Sequence, residues 1–468
     1  MLPRSLAIAV FTAFVAGRAA QDQHRSGRLE RADERVCLSP LGIHRINTTD
    51  PPGNERRAAE FLKRILDKAG VEARILDTAE LKPAGRANIY AQLKGNGSKK
   101  AIVLLNYMDV VPATPAFWSV NPFSGAIKNG YIWGRGTIDM KGESIVQLMT
   151  MIAIKRSGLR LNRDIVFIGN ADEELNSTGG ITFVDRHPDL LKDVEYLMTE
   201  GGGNQVNRGK LAYYGVGVAE KRTFWHRLSV KGTPSHASRP TKLNPVPRLV
   251  AGLDRIARYE TPIHVTLGVG KYFHDISRNY SEPQKSWLAD VRKGVEHAKS
   301  RERILSDVYW NAILRNTISL TALQSSSKTN VIPAEATAEL DIRLLPDTDP
   351  KEFLATLERI TNDTAVHFTT LLDPKPPLEN PINTNLFRAI ERASRDRDAG
   401  ALVTTPMLTA ATDRPTYRKL GIITYGFDPF KIEASDIQTG KHGNNERISI
   451  ANIGFGLKDP YDVLRYAQ

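Results

Sequence analysis

Six short segments carry the acidic and histidine residues that could bind metal and move protons. In chain order they are Tyr107-Met108-Asp109, Gly134-Arg135-Gly136-Thr137-Ile138-Asp139-Met140-Lys141-Gly142, Asp172-Glu173-Glu174, Glu200-Gly201-Gly202, His236-Ala237, and His442 ahead of Asn445-Glu446. Carboxylates are hard oxygen donors and imidazole is a borderline nitrogen donor, a mixture that zinc accepts. Glu173 and Glu174 are neighbours, so in an irregular segment they can face different targets, one a metal and the other a proton. A metal ion lowers the pKa of bound water from about 15.7 towards about 7. A carboxylate within reach can then carry the proton to a leaving amine. The chemistry implied is hydrolysis. Singly, each residue has an ordinary explanation, such as a turn-forming Asp after glycine or a solvated Glu-Glu pair. Their joint order, at the ends of predicted strands, points to a metal site.

Those strands are legible from hydropathy. Ala101-Ile102-Val103-Leu104-Leu105 is a continuous apolar run, as in a buried central strand, and leads into Tyr107 and Asp109. In a strand, alternate side chains share a face, so Tyr107 and Asp109 project together. Asp164 to Gly169 is a second buried strand, running into Asp172-Glu173-Glu174. Helices are predicted after Pro51-Pro52-Gly53, with Ala58, Phe61, Leu62, Ile65, Leu66 and Ala69 on one face, and over Gly142 to Ser157. Val71 to Leu76 and Ala87 to Leu93 read as further strands. Strands alternating with helices predict an α/β fold around a mostly parallel sheet, with chemistry gathered at the carboxyl ends of strands.

The pattern changes near Lys221. Strands are predicted at His226 to Val230, Ala336 to Leu345 and Val366 to Leu371, with helices at Val246 to Tyr259 and Pro350 to Thr361. Two helices on one face of an antiparallel sheet make an inserted α+β domain. Residues 268–316 are too long for a simple loop and predict an extra helical insertion. Pro374-Lys375-Pro376-Pro377 marks the return to α/β.

Composition narrows the partners. The formal charge is +12, but the densest basic stretch, Arg292 to Arg303, is interrupted by Glu296 and Glu302, which suits a solvated helix and not a nucleic-acid surface. Arg4, the apolar run Leu6 to Ala16 and the small residues after it resemble a secretory signal peptide over 1–20. The run is too short for a stable membrane span, so a periplasmic or extracellular protein is expected. Cys37 is the single cysteine, so no internal disulfide can form. The folded region is expected to begin near Val36.

Taken with Asp109-Val110-Val111-Pro112-Ala113, Trp118, Pro122-Phe123-Ser124-Gly125 and Trp133-Gly134-Arg135-Gly136, the six segments resemble the zinc metallopeptidase family of glutamate carboxypeptidase, aminoacylase and succinyl-diaminopimelate desuccinylase. The similarity runs from about Arg56 to the C-terminus and is nearest to the carboxypeptidase S and secreted N-acyl-amino-acid hydrolase branch. It implies a catalytic domain in two parts, 36–221 and 376–468, around a lid or dimerisation domain at 222–375. It implies that Asp139 bridges two zinc ions, that Glu174 and His442 complete one, and that Glu200 helps hold the other. Glu173 would be the general base acting on metal-activated water, and Asp109 would orient a ligand. His236 would stabilise the oxyanion, in dimeric relatives from the partner subunit. Asn330 and Arg343 would bind the substrate carboxylate, with Thr412 on a nearby loop. The substrate implied is a small peptide or N-acyl amino acid.

One position departs from the resemblance. Tyr107 stands where the family has a histidine ligand, and the nearest histidines in sequence are His44 and His187. Tyr107 could bind as phenolate, stay protonated beside a weakened second site, or mark a metal-poor relative that binds without turnover. Three carboxylates and a hydroxide already balance two zinc ions, so a phenolate adds surplus negative charge. The protonated reading is therefore preferred, with one zinc firmly held by Asp139, Glu174 and His442.

Overall fold

The computed structural model describes residues 40–76, 85–207, 209–373, 375–376, 379–432 and 440–468. The leader, Val36, Cys37, Pro374 and Pro377 lie outside those residues. The chain divides into two compact units. Of the described residues, one comprises those up to Val218, Asn380–Thr404 and Thr412–Gln468, and the other Ala219–Glu379 with Thr405–Ala411.

In the first unit, helix α1 (Glu55–Lys68) buries Ala58, Leu62, Ile65 and Leu66, much the stripe that the sequence predicts. Strands β1 (Ala73–Leu76), β2 (Asn88–Leu93) and β3 (Ala101–Tyr107) follow. Helix α2 (Lys141–Ser157), β4 (Ile165–Asn170), helix α3 (Thr178–Arg186) and β5 (Val194–Thr199) come next. The sheet order is β1-β2-β4-β3-β5 followed by Ile423–Gly426. The strands from β4 onward run parallel, while β1 and β2 are antiparallel additions at one edge. Every residue of β3 is buried, which explains its unbroken apolar run.

Helix α2 is buried almost all round, because it packs on β3 and β4 and is itself covered by the helix Lys458–Tyr466. A helix apolar on every side requires such cover. Its start is fixed by Gly142, where a Cβ would meet the Thr137 carbonyl at 2.1 Å. On one side of the sheet a core forms from Val103, Leu105, Val166, Ile168, Phe183 and Leu197.

Two small sheets in this unit gave no hydropathic signal. One orders Val403–Thr404, Lys210–Gly215, Gly203–Asn207 and Lys431–Ile432. The other pairs Arg447–Ser449 with Tyr131–Trp133, and that strand with Ala126–Lys128. The second sheet matters for the site, because it brings the segment just after His442 against the segment just before Asp139.

The second unit contains β6 (Arg222–Lys231), α4 (Pro245–Ala257), β7 (Thr317–Gln324), β8 (Glu335–Leu344), α5 (Pro350–Thr361) and β9 (His367–Leu372). The sheet order is β7-β8-β6-β9, antiparallel throughout. Asn244 and Asp349 cap α4 and α5 by accepting backbone N–H bonds. Leu249, Leu253, Leu340, Ile342, Phe353 and Leu357 form its core. Strand β8 alternates between buried and more accessible positions, as a sheet covered on one face should. Residues 267–313 fold into five short helices around contacts such as Phe273 with Trp310, ring centroids 5.4 Å apart.

Candidate metal centre

Strand and helix ends deliver the chemical groups of the first unit to one place. Tyr107 ends β3, with Asp109 two residues on. Asp139 lies in the turn that enters α2, and Glu173 and Glu174 follow β4. Glu200 follows β5. His442 comes from the loop ahead of Arg447–Ser449 and adopts a positive φ of 62°.

Asp139, Glu174 and His442 offer ligand atoms that all lie within 4.8 Å of one another. His442 Nε2 is 3.1 Å from Glu174 Oε2 and 3.3 Å from Asp139 Oδ2. Glu174 Oε1 is buried with no hydrogen-bond partner. One imidazole nitrogen facing two carboxylates is a donor set suited to zinc or a similar divalent ion, so these residues fit a metal. Asp139 and Glu174 hold His442 protonated, pushing its pKa up to about 10 against the effect of burial.

The other oxygen of Asp139 faces a different environment. The Tyr107 hydroxyl donates a short hydrogen bond to Asp139 Oδ1. Burial, then the charges of Asp139, Glu200, Glu174 and Glu173, raise the Tyr107 pKa well above its ordinary value, so the phenol keeps its proton. Lys441 Nζ lies 2.7 Å from Glu200 Oε2 and 3.5 Å from the same Asp139 Oδ1. Burial disfavours the ammonium, but Asp139, Glu200 and Asp428 outweigh it and hold Lys441 charged. Glu200 is pushed up to about 7, with burial and Asp139 opposing the pull of Lys441. Lys441 was not among the residues singled out in the sequence, since lysine carries no metal-ligand signature.

Glu446 holds the two site loops together. Its carboxylate accepts from Gly136 N at 3.1 Å, Ile138 N at 2.7 Å, Asp139 N at 3.2 Å and Arg135 Nη1 at 2.7 Å. Arg135 also donates to the His442 carbonyl at 3.3 Å and lies over the Trp118 ring. Asp109 accepts the backbone N–H of Glu174 at 2.9 Å, so it orients the segment carrying both glutamates. Behind it lies a buried network. Arg86 pairs with Asp50, with Asp172 at 2.7 Å and with Glu55 at 3.8 Å. Asp50, Glu55 and Asp109 also cluster closely enough to hold an ion. The Arg86 guanidinium already supplies positive charge to Asp50 and Glu55, and the network anchors Asp172 at its positive φ of 59°.

The remaining predicted residues sit as follows. Thr412 is buried, and its hydroxyl accepts from Arg414 N and Nε. In the second unit, Ala237 N donates to the Asn330 carbonyl at 3.0 Å, which places His236 and Asn330 side by side. His236 Nδ1 accepts from Ser238 N at 3.2 Å and lies 2.8 Å from Ser238 Oγ. Arg343 makes a two-pronged contact with Asp341, at 2.7 and 3.0 Å, and donates to Thr223. The fork assigned to a substrate carboxylate is thus engaged within its own strand. In the first unit, a cavity of about 460 Å³ opens beside Lys441, lined by Ile138, Asp428, Phe430, Ile448 and Phe455.

The chain resembles proteins of known class. An N-fatty-acyl-amino acid synthase/hydrolase, PM20D1 of Xenopus tropicalis, is 29% identical over 357 residues, covering 74% of this chain and 68% of that protein. The M20 family metallo-carboxypeptidase Sso-CP2 of Sulfolobus solfataricus shares the fold with a TM-score of 0.71 and 18% identity, over 92% of this chain and 99% of that one. The YXEP protein of Bacillus subtilis, a dinuclear metal-binding peptidase, aligns with a TM-score of 0.54 and 13% identity over 92% of this chain and 97% of its own. The model of peptidase family M20/M25/M40 matches residues 104–459, a span that includes Tyr107, Asp139, Glu173, Glu174, Glu200 and His442. The chain belongs to that family and is a hydrolase of its metal-dependent class.

Proposed function

We propose that this chain cleaves the amide bond of N-acyl amino acids or small peptides, using one firmly held divalent metal, most naturally zinc, at Asp139, Glu174 and His442. The observation that carries this reading is the convergence of those three side chains from distant segments, with Glu173 adjacent in sequence. Asp139, Glu174 and His442 would hold a divalent ion there, which would supply polarisation of the amide carbonyl and a more acidic water. Glu173 takes the proton from water and delivers it to the leaving nitrogen. Asp109 keeps Glu173 and Glu174 in place through the Glu174 backbone. His236 presents Nε2–H to the developing oxyanion, from the lid of a partner subunit, and Asn330 beside it reads the substrate. Arg343 exchanges Asp341 for the substrate carboxylate when substrate arrives, and Thr412 supports its loop through Arg414. We further propose export through the N-terminal apolar run and a homodimer formed by the second unit.

A panel of N-acyl amino acids and dipeptides, assayed with chelator and with added zinc, tests the reading. Zinc-dependent release of free amino acid is expected. A second reading, binding without turnover, is favoured by the hydrogen bond that ties Tyr107 to Asp139. It predicts saturable binding of the same compounds and no product under any metal.

A further inference from the structure

The M20 family includes a dinuclear metal-binding member, and the ligands expected for a second ion here are Tyr107, Asp139 and Glu200. In this chain those groups do not fit a second ion. We propose that the Lys441 ammonium occupies the second cation position, so that the centre is built for one metal ion and one tethered positive charge. This deepens the function proposed above and rests on its metal position at Asp139, Glu174 and His442.

Three observations carry it. First, the two oxygens of Asp139 are divided. Oδ2 faces His442 Nε2, while Oδ1 receives the Tyr107 hydroxyl and lies 3.5 Å from Lys441 Nζ. The oxygen that a bridging carboxylate would give to a second ion is therefore already hydrogen-bonded. Second, Glu200 Oε2 lies 2.7 Å from the same ammonium. A zinc ion would need that oxygen at about 2.0–2.2 Å, so ion and ammonium would compete for the same donor. Third, a cation already stands there: the ammonium lies beside Asp139 and Glu200, and Asp428 also favours its charge. Adding a second divalent ion beside Lys441 would place like charges a few ångströms apart. Tyr107 and Lys441 are thus two parts of one replacement: a neutral donor stands where the family has a ligand, and a fixed cation stands where an ion would be.

Metal counting decides the matter. The full chain, stripped with chelator, reloaded with excess cobalt(II) and desalted, should retain about one ion per chain. Its electron paramagnetic resonance should be that of isolated high-spin cobalt, with no exchange coupling. The double change Tyr107→His with Lys441→Met should raise the count to about two and introduce coupling. Lys441→Gln alone, which removes charge with little change of shape, should also raise the count in excess metal. Two tightly held ions in the parent overturn the proposal. So does a variant with parent-like circular dichroism that stays at one. Retention of no ion by the parent removes both this proposal and the metal position it rests on. Turnover of the amide panel is read separately. One ion without turnover sinks the hydrolase reading alone, and two ions with turnover sink the Lys441 assignment alone.

Discussion

His442 must give up a proton before it can bind metal. Hydrogen bonds to Asp139 and Glu174 raise its pKa to about 10, while a metal ligand must be neutral imidazole. Metal affinity should therefore rise with pH up to about 10, and each ion bound near neutrality should release about one proton. Calorimetry in two buffers of different ionisation enthalpy measures that number directly, and a binding heat independent of buffer would contradict it. Glu173 plays a different part. Glu173→Gln keeps shape and removes the base, so turnover should fall by about 10²–10⁴-fold while metal content stays at the parent value. A variant that lost metal in parallel with activity would show that Glu173 is a ligand and not the proton carrier. The gathering of Asp139, Glu174 and His442 was expected from the order of their motifs and the family resemblance those motifs carry. Lys441 was not, since a lysine next to a loop histidine has no distinctive pattern and its partner Glu200 is 241 residues away.

At the scale of elements, the site depends on turns more than on helices. Three amides of the turn before α2 and the Arg135 guanidinium all converge on Glu446, which is fully buried. Glu446→Gln leaves acceptors for some amides but strands the Arg135 charge, at a cost of about 3–5 kcal/mol. Urea denaturation should show that loss, and metal titration should show weakened binding, because Asp139 and His442 lose their common anchor. Unchanged metal affinity in a destabilised variant would separate fold from site. Strands and helices around these turns were readable: β3 and β4 as apolar runs and α1 from its periodic stripe. The small sheet pairing Arg447–Ser449 with Tyr131–Trp133 was not readable. Its strands are three residues long, too short for any periodicity to register. The Arg86 network was hidden for a related reason, since Asp50, Glu55 and Asp172 meet only after the chain has folded.

For the whole molecule, acid stability reports on the packing beneath the site. His44 is fully buried, neither ring nitrogen has a partner, and burial followed by the charge of Lys141 lowers its pKa to about 3. Between the ordinary value of 6.5 and about 3, the unfolded chain binds a proton that the native chain refuses. This group therefore costs stability as pH falls through that window, by up to about 1.4 kcal/mol per pH unit, and costs nothing above it. His44→Phe should gain on the parent progressively in urea denaturation below about pH 6.5, and a pH-independent difference would refute the assignment. The second unit carries a liability of another kind. Strand β7 is an outer strand that among the described residues pairs only with β8, and it leaves Leu320 and Leu323 more than half exposed. Its register slips between Leu320 and Ala322. An outer strand with unused amides and apolar side chains is a template for runaway stacking between molecules, and a bulge blunts that template by spoiling its straightness. The irregularity at Thr321 should therefore disfavour edge-to-edge stacking, and a variant that straightens β7 is expected to aggregate more readily.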